Sequence, residues 1–325
     1  MNTYETRKYQ PTDKTAWNNF VKKAKNATFL FHRDFMDYHS DRFQDYSLLV
    51  YSDGQLVAIL PANLKNEVLH SHQGLSYGGL LLGRKATFQE ALFSFKSVLA
   101  FLEKEGIALL NLKLVPKIYN LLPSDEMDYL LFLTKAKITR RDLSCCVFNG
   151  NPLKIESSNR LRGIKKGLKN ELKVVEEPNC DLFWKNVLEP NLKKVHDQKP
   201  VHSLEEINLL KSHFPNNIKQ FNVYKDEEIV AGTTIFETSE VAHAQYISAN
   251  ELGRKTGGLD FLFNHLLQHY SHKKYFDFGI SNELQGMKVN KGLMQWKESF
   301  GGRGIVHDFY EVKTDNHHLL NDIFL

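Results

Sequence analysis

One short pattern occurs twice in this chain, first as Val50-Tyr51-Ser52-Asp53-Gly54-Gln55-Leu56-Val57-Ala58 and again as Val223-Tyr224-Lys225-Asp226-Glu227-Glu228-Ile229-Val230-Ala231. Each copy runs from a strand pattern into a tight polar turn, and a second strand pattern leaves the turn and ends in Val-Ala. Asp53-Gly54 is a strong signal for a two-residue hairpin turn. The pattern therefore predicts one β-hairpin in each half of the chain.

The segments after the two hairpins come in the same order: a glycine-rich stretch, an amphipathic helix and a short apolar strand. A repeat whose period is about half the chain indicates two similar domains, since solenoid repeats are far shorter. Asn149-Gly150-Asn151-Pro152 is the strongest turn signal between the copies. We therefore predict domains over 1–150 and 151–325, with a cleft between them that favours a ligand.

The composition is that of an ordinary globular protein, with 42% hydrophobic and 25% charged residues. The net charge of +4 fits an anionic ligand such as a nucleotide, a CoA thioester or an RNA end, without requiring one. The sequence has no run of the ~18 apolar residues that a membrane span needs, and its first residues lack the apolar core of a signal peptide. Three cysteines, two of them adjacent, match no disulfide framework or zinc motif, so we expect reduced thiols and a cytoplasmic protein.

A glycine-rich turn before the second predicted helix is the first candidate site, at Arg254-Lys255-Thr256-Gly257-Gly258-Leu259. Glycines at a helix start let backbone N–H groups approach a phosphate, and the helix dipole favours the anion. Arg254 and Lys255 add positive charge there. The alternative is a strand-to-helix turn that needs glycine only for its backbone angles.

The segment 159–173 is the second candidate, because it is rich in cations. They are Arg160, Arg162, Lys165, Lys166, Lys169 and Lys173. All of these but Arg160 follow helical spacing and share one face. A one-sided basic stripe suits phosphates or an RNA backbone. The alternative is a solvated surface face.

Two charged residues near the end of the chain stand among apolar ones. Asp277 interrupts the strand pattern Tyr275-Phe276-Asp277-Phe278-Gly279, and a buried carboxylate must be paired or shift its pKa. Lys297 follows Leu293-Met294-Gln295-Trp296, where an ammonium group can stabilise an oxyanion or hold a phosphate. The alternatives are a carboxylate that caps local N–H groups and a lysine whose stem covers apolar surface.

The sequence lacks His-Glu-x-x-His, Cys-x-x-Cys and P-loop motifs. Gly74-Leu75-Ser76-Tyr77-Gly78 fits the Gly-x-Ser-x-Gly pattern, but it lies in a predicted loop and not in the strand-to-helix turn that this motif needs. We therefore expect no metalloprotease, zinc finger, kinase or α/β-hydrolase, and we predict no metal ligand.

Several of these stretches, taken in order, resemble the FemAB-like group of the GNAT superfamily. The matching segments are Gly74-Leu75-Ser76-Tyr77-Gly78-Gly79, Ser158-Asn159-Arg160-Leu161-Arg162-Gly163-Ile164-Lys165-Lys166, Phe276-Asp277-Phe278-Gly279, Gly292-Leu293 with Trp296-Lys297, and Phe300-Gly301. The resemblance covers nearly the whole chain. It implies an α/β (α+β) fold of two tandem GNAT-like domains, with mixed, mostly antiparallel sheets flanked by helices, and an acyl transfer to an amine.

The resemblance leaves two donors open. Members that build peptidoglycan bridges take an amino acid from aminoacyl-tRNA, whereas other GNAT proteins take an acyl group from a CoA thioester. Arg254 and Gly257 match the GNAT pyrophosphate loop, but Leu259 departs from it. Members that recognise the peptidoglycan precursor tend to carry a lysine at the end of an early helix, where this chain has Tyr38-His39.

We therefore expect an N-acyl or aminoacyl transferase, acting in cell-wall or surface-polysaccharide biosynthesis on a small or lipid-linked amine. Lys297, which matches the family's lysine, would stabilise charge, Asp277 would accept or orient a proton, and Tyr246 would donate to the leaving group. The expected binding residues are Arg254, Lys255, Gly257 and Gly258 for donor phosphate, Tyr77 and Gly79 in the cleft, and Arg162, Lys165 and Lys166 for substrate, tRNA included.

Two other functions stay open. One is a CoA-dependent N-acetyltransferase that acts on an amino sugar. The other is a GNAT-like binding module without catalysis, because fold alone does not give function. We expect neither DNA nor a permanently bound cofactor.

Overall fold

The computed structural model describes residues 3–197 and 199–325. The chain divides into two compact units, one formed by Met1–Asp142 with Val306–Leu325 and the other by Leu143–Ile305. The C-terminal segment from Val306 thus belongs to the first unit. The domain limits at residues 150 and 151 are drawn from the repeat in the sequence, and they stay a prediction.

In its described residues, the first unit combines short strands with four α-helices. Its strands are Tyr4–Lys8 (β1), Gln44–Asp45 (β2), Leu48–Ser52 (β3), Gln55–Leu60 (β4), Asn63–Lys65 (β5), Val68–His70 (β6), Leu81–Leu82 (β7) and Leu109–Lys113 (β8). Its helices are Lys14–Val21 (α1), Arg33–Met36 (α2), Phe88–Lys104 (α3) and Glu126–Leu133 (α4). Strands β1, β3, β4 and β7 form an antiparallel sheet in that order. Strands β8, β6, β5 and β2 are neighbours in another sheet, in which β6 and β8 are parallel.

Helix α3 is built as its sequence predicts. The Thr87 hydroxyl accepts from the backbone N–H of Glu90 at the N-cap, and Gly106 follows the helix with a φ of +77°. Its apolar face is buried in the core of the first unit through Ala91, Leu92, Phe95, Val98, Leu99 and Leu102. The amphipathic helix predicted after the first hairpin is confirmed.

The chain passes from one unit to the other within two long strands. They are Lys137–Phe148 (β9) and a C-terminal strand at Arg303–Lys313. In the second unit the helices are Ser158–Lys169 (α5), Asp181–Phe183 (α6), Glu189–His196 (α7), Leu204–His213 (α8), Glu251–Thr256 (α9), Gly258–His269 (α10) and Lys291–Glu298 (α11). The π-helical turn Trp184–Leu188 joins α6 to α7. Its further strands are Lys173–Glu177 (β10), Ile218–Lys225 (β11), Glu228–Glu237 (β12), Val241–Ala249 (β13), Tyr275–Ile280 (β14), Asn282–Glu283 (β15) and Lys288–Val289 (β16).

The two predicted hairpins are confirmed, and both carry the same irregularity. In β3–β4, Val50 pairs with Ala58 and Tyr51 with Leu56, so Val57 is an extra residue. In β11–β12, Val223 pairs with Ala231 and Tyr224 with Ile229, so Val230 is extra. Val57 and Val230 occupy the same place in the two copies of the sequence pattern. Since β-bulges set the local twist, the two units share a detail of geometry as well as an order of elements.

The sheet of the second unit runs β10-β11-β12-β13-β14. Strands β13 and β14 are parallel and pair only through Val241–His243 with Tyr275–Asp277 in the described part of the chain. The face that carries Ile235, Phe276 and Phe278 is buried with Phe263 and Leu266 of α10. No helix among the described residues is long and apolar enough to cross a membrane.

Candidate functional site

Asp277 is the centre of a polar cluster on the second unit's sheet. Because side chains alternate along β14, Phe276 and Phe278 enter the core while Asp277 faces the other way. The carboxylate is 3% exposed. Its Oδ1 accepts from the Ser144 hydroxyl at 2.5 Å and from the Cys146 thiol at 3.1 Å. The buried charge is thus held by hydrogen bonds, as burial requires.

The remaining oxygen of Asp277 faces a histidine that sequence analysis missed. Nδ1 of His243 lies 2.9 Å from Oδ2 of Asp277, and the two residues are paired in the parallel register of β13 and β14. An ionised carboxylate only accepts hydrogen bonds, so Nδ1 donates, and Nε2 is the ring nitrogen that can take up a proton. The His243 side chain is 20% exposed, so solvent or a substrate can reach it.

Lys297 is held beside this pair. The residue is 2% exposed, and its Nζ donates to the carbonyls of Gly279 at 2.8 Å and Ile280 at 2.7 Å. Burial lowers the pKa of Lys297 to about 8, and the charge of Asp277 opposes that shift. Helix α11 carries the lysine and begins at Asn290, whose side chain accepts from the N–H of Leu293.

Gly279 joins Asp277 to Lys297. Its N–H donates to Oδ1 of Asp277 at 2.8 Å, while its carbonyl accepts from Lys297. Its φ of +75° favours glycine, and a Cβ here would lie 3.2 Å from Cε1 of His243. The two residues predicted from sequence to share a site, Asp277 and Lys297, are therefore neighbours through one glycine.

Tyr246, the third predicted catalytic residue, faces the same way as His243 because of a bulge. Thr234 pairs with Tyr246 and Ile235 with Ala244, so the residue between them on β13 is extra. The Tyr246 hydroxyl hydrogen-bonds Nδ1 of His202 at 2.6 Å and accepts from its backbone N–H at 3.2 Å. His202 is buried, and it is a second histidine that the sequence did not single out.

The segment predicted as a phosphate-binding turn is largely helical, which corrects the sequence interpretation. Helix α9 covers Glu251–Thr256, and the Asn250 side chain caps it by accepting from the N–H of Gly253. Arg254 donates to the carbonyl of Ala249 and to the side chain of Asn191, and Lys255 pairs with Glu251 at 2.7 Å. The phosphate-binding role of these cations stays a prediction.

The glycines of that segment have packing partners. Gly257 has a φ of +81°, and a Cβ there would collide with the carbonyl of Gly163 on α5. A Cβ on Gly258 would lie 3.2 Å from Cβ of Ala231. In the first turn of α10, Asp260 forms an ion pair with Arg160 and accepts from the Trp296 indole at 3.3 Å. Asp260 thus brings a negative charge to the first turn of α10, at the helix end whose dipole favours anions.

The predicted basic stripe lies mostly on α5, but Lys173 begins strand β10 and does not continue the helix, which corrects that part of the prediction. Arg162, Lys165 and Lys166 are exposed on α5, and no residue of the helix is acidic. The opposite side packs on α10 through Gly163 and Gly167, where added side chains would collide with Asp260 and Phe261. The stripe is thus the outward side of a helix that is anchored by its glycines.

Tyr77 and Gly79 belong to the first unit. The Tyr77 hydroxyl donates to Oγ1 of Thr28 at 3.1 Å, and its ring packs against Phe31 and Tyr119. Gly79 has a φ of +97°. Their role in a ligand cleft stays a prediction. Among the described residues, no group of three or more His, Cys, Asp or Glu side chains could hold a metal ion.

No protein-family model matches the sequence, and no curated protein matches it significantly. Solved structures match over nearly the whole chain. FemX aligns with a TM-score of 0.66 at 10% identity, over 98% of this chain and 99% of its own. L-PGS from Bacillus licheniformis aligns with a TM-score of 0.57 at 13% identity, over 93% of this chain and 91% of its own. A tandem GNAT protein from the clavulanic acid biosynthesis pathway aligns with a TM-score of 0.50 at 10% identity, over 96% of this chain and 99% of its own. These likenesses confirm the predicted fold: the chain has the FemAB-like architecture of tandem GNAT-like units.

Proposed function

We propose that the second unit catalyses transfer of an activated acyl or aminoacyl group to an amine. The carrying observation is the pair formed by the partly exposed His243 and the buried Asp277, joined to Lys297 through Gly279. Amine acylation requires a base that takes a proton from nitrogen and a donor that stabilises the oxyanion. This cluster contains one residue suited to each requirement.

His243 is the base in this proposal. Asp277 orients the imidazole through Nδ1 and stabilises the imidazolium that forms when Nε2 takes the amine proton. The amine nitrogen forms a bond to the carbonyl carbon, and the ester or thioester bond then breaks. Asp277 keeps the orienting role proposed from the sequence, and proton acceptance passes to His243.

Lys297 provides the positive charge. Two of its N–H groups are directed by the carbonyls of Gly279 and Ile280, which leaves the third for the oxyanion. A pKa near 8 keeps the ammonium mostly protonated at neutral pH. Tyr246, on the same sheet face, would give a proton to the leaving oxygen or sulfur and recover it through His202.

For the donor we propose aminoacyl-tRNA, whose backbone would lie on the exposed Arg162, Lys165 and Lys166 of α5. The carboxylate of Asp260 in the first turn of α10 disfavours a diphosphate there. The likeness to FemX and L-PGS supports this choice at the level of fold. The acceptor would be a small or lipid-linked amine, in the cytoplasm, for a cell wall or surface polysaccharide.

A CoA thioester is the second candidate donor, and one observation favours it. Strands β13 and β14 pair over three residues and then separate. An open strand edge can bind an extended, amide-containing chain such as the arm of CoA by main-chain hydrogen bonds.

The test is thermal unfolding of the full chain with acetyl-CoA, longer acyl-CoAs, free CoA and total aminoacyl-tRNA. Stabilisation by aminoacyl-tRNA that is lost in K165E/K166E supports the proposal, whereas stabilisation by CoA thioesters alone selects the second donor. Acyl transfer to added amines is then measured with the stabilising donor. Binding without transfer to any amine would leave a binding module and overturn the catalytic proposal.

A further inference from the structure

The hairpin β15–β16 carries an exposed apolar surface next to the site. Leu284 is 71% exposed and Met287 80% exposed at its tip. Val289 on the hairpin, Ile280 before it and Leu293 after it are also exposed. Single exposed apolar residues are ordinary, but five of them in one short segment, 280–293, make that segment a candidate interaction site. We call these five residues the hairpin patch.

The hairpin is held firmly at its base. The Asn282 side chain accepts from the N–H of Leu143 at 2.6 Å and donates to the carbonyls of Gly286 and Lys288 at 3.3 and 3.4 Å. The N–H of Asn290 donates to the carbonyl of Ser281 at 2.8 Å. The tip is therefore an ordered projection.

The backbone of the tip would be easier to form with other residues. Leu284 and Gln285 have φ values of +50° and +55°, which asparagine and glycine adopt far more readily. A leucine here is unfavourable in its backbone and also exposes its side chain to water. Turn formation alone does not explain this leucine, whereas contact of its side chain with an apolar partner does.

The charges around the patch identify that partner's chemistry. Lys288 and Lys291 are exposed beside it, while the nearby carboxylate of Glu283 accepts from the Asn290 side chain at 3.2 Å. Apolar side chains framed by lysines fit an anionic membrane interface. A four-residue turn is too small to cover the ~800 Å² per partner of a stable protein interface, but a bilayer accommodates it.

We propose that this hairpin inserts Leu284 and Met287 into the interface of an anionic lipid bilayer, with Lys288 and Lys291 against the headgroups. Ile280 begins the patch, and its carbonyl accepts from Lys297. An amine carried by a membrane lipid would therefore meet the protein beside that lysine. This last step rests on the proposed function, whereas the docking itself does not.

The test is co-sedimentation of the full chain with phosphatidylcholine vesicles and with vesicles that contain 30% phosphatidylglycerol. We expect binding to the anionic vesicles, weakened about tenfold or more in L284N/M287Q because two apolar side chains leave the interface. The control L182N/L209Q removes two leucines of the same unit that are 47% and 46% exposed, and should bind as the unchanged chain does. K288A/K291A should bind more weakly, with less dependence on salt.

Thermal unfolding of L284N/M287Q should match or exceed that of the unchanged chain, since asparagine suits the turn. Absence of binding to anionic vesicles would overturn the proposal, as would equal binding by both double variants. A concentration-dependent dimer that L284N/M287Q abolishes would assign the patch to a second copy and also overturn it. These readouts need no acyl donor, so docking and catalysis can fail separately.

Discussion

Nδ1 of His243 lies 2.9 Å from Oδ2 of Asp277, and the two residues pair in register on neighbouring parallel strands. A third strand contributes to the same carboxylate, because Ser144 and Cys146 of β9 donate to its other oxygen. The imidazole of His243 is thereby fixed from one side, while a fifth of the His243 side chain stays exposed. This arrangement orients a base toward a substrate.

We predict that His243→Ala lowers turnover by about 10²–10⁴-fold, the usual contribution of a positioned base. The matched control is His272→Ala, which removes an exposed histidine of the same unit and should leave turnover unchanged. Steady-state rates with the donor found by thermal unfolding give the comparison. Equal rates for the two variants would exclude His243 as the base.

The outcome of the sequence analysis depended on how local each feature is. The hairpins and α3 were predictable because neighbouring residues determine turn, cap and apolar face. His243 was missed because its partner lies 34 residues away, and pairing register is not visible in sequence. Asn250 and Glu251 are residue types typical of a helix start, so they indicated α9, but the glycines that follow were interpreted as a phosphate-binding turn.

Lys297 should make stability depend on pH in a defined window. Its pKa is lowered to about 8 in the folded chain from 10.5, so between these values the unfolded state binds more protons. Stability therefore rises with pH there through this residue. We predict that the free energy of unfolding of the unchanged chain, relative to Lys297→Met, increases from pH 7.5 to 9.5. Urea titrations at both values measure the difference, and a constant difference would contradict the lowered pKa.

Gly279→Ala tests the glycine between Asp277 and Lys297. The alanine must adopt a φ of +75° with its Cβ 3.2 Å from the His243 ring. Gly54→Ala is the control, since Gly54 has a φ of +78° and no heavy atom lies within 4 Å of the added Cβ. Both should lose about 1–2 kcal/mol from the backbone, and only Gly279→Ala should also lower turnover. Equal turnover in both variants would show that the position of the His243 ring does not limit the reaction.

The space around two helical glycines differs, so replacing each by alanine should have opposite effects on stability. In Gly167→Ala the new Cβ would lie 2.7 Å from Cβ of Phe261, so α5 must shift and stability should fall. In Gly292→Ala of α11 the nearest atom is 3.8 Å away, so helix propensity should stabilise the chain by about 0.5–1 kcal/mol. Chemical denaturation of the two variants gives the signs, and a stabilised Gly167→Ala would contradict the close contact.

The outward side of α5 leads to a prediction about the donor. K165E/K166E reverses two exposed charges on a helix that has no acidic residue, so it should weaken tRNA binding and reduce the slope of log affinity against log salt. The control K193E/K194E makes the same change in net charge on α7, where both lysines are exposed. A long-range effect of net charge would weaken both variants equally, whereas direct backbone contact would weaken only the α5 variant. Filter-binding titrations at several salt concentrations separate these cases, and equal slopes in all three proteins would remove α5 from the tRNA site.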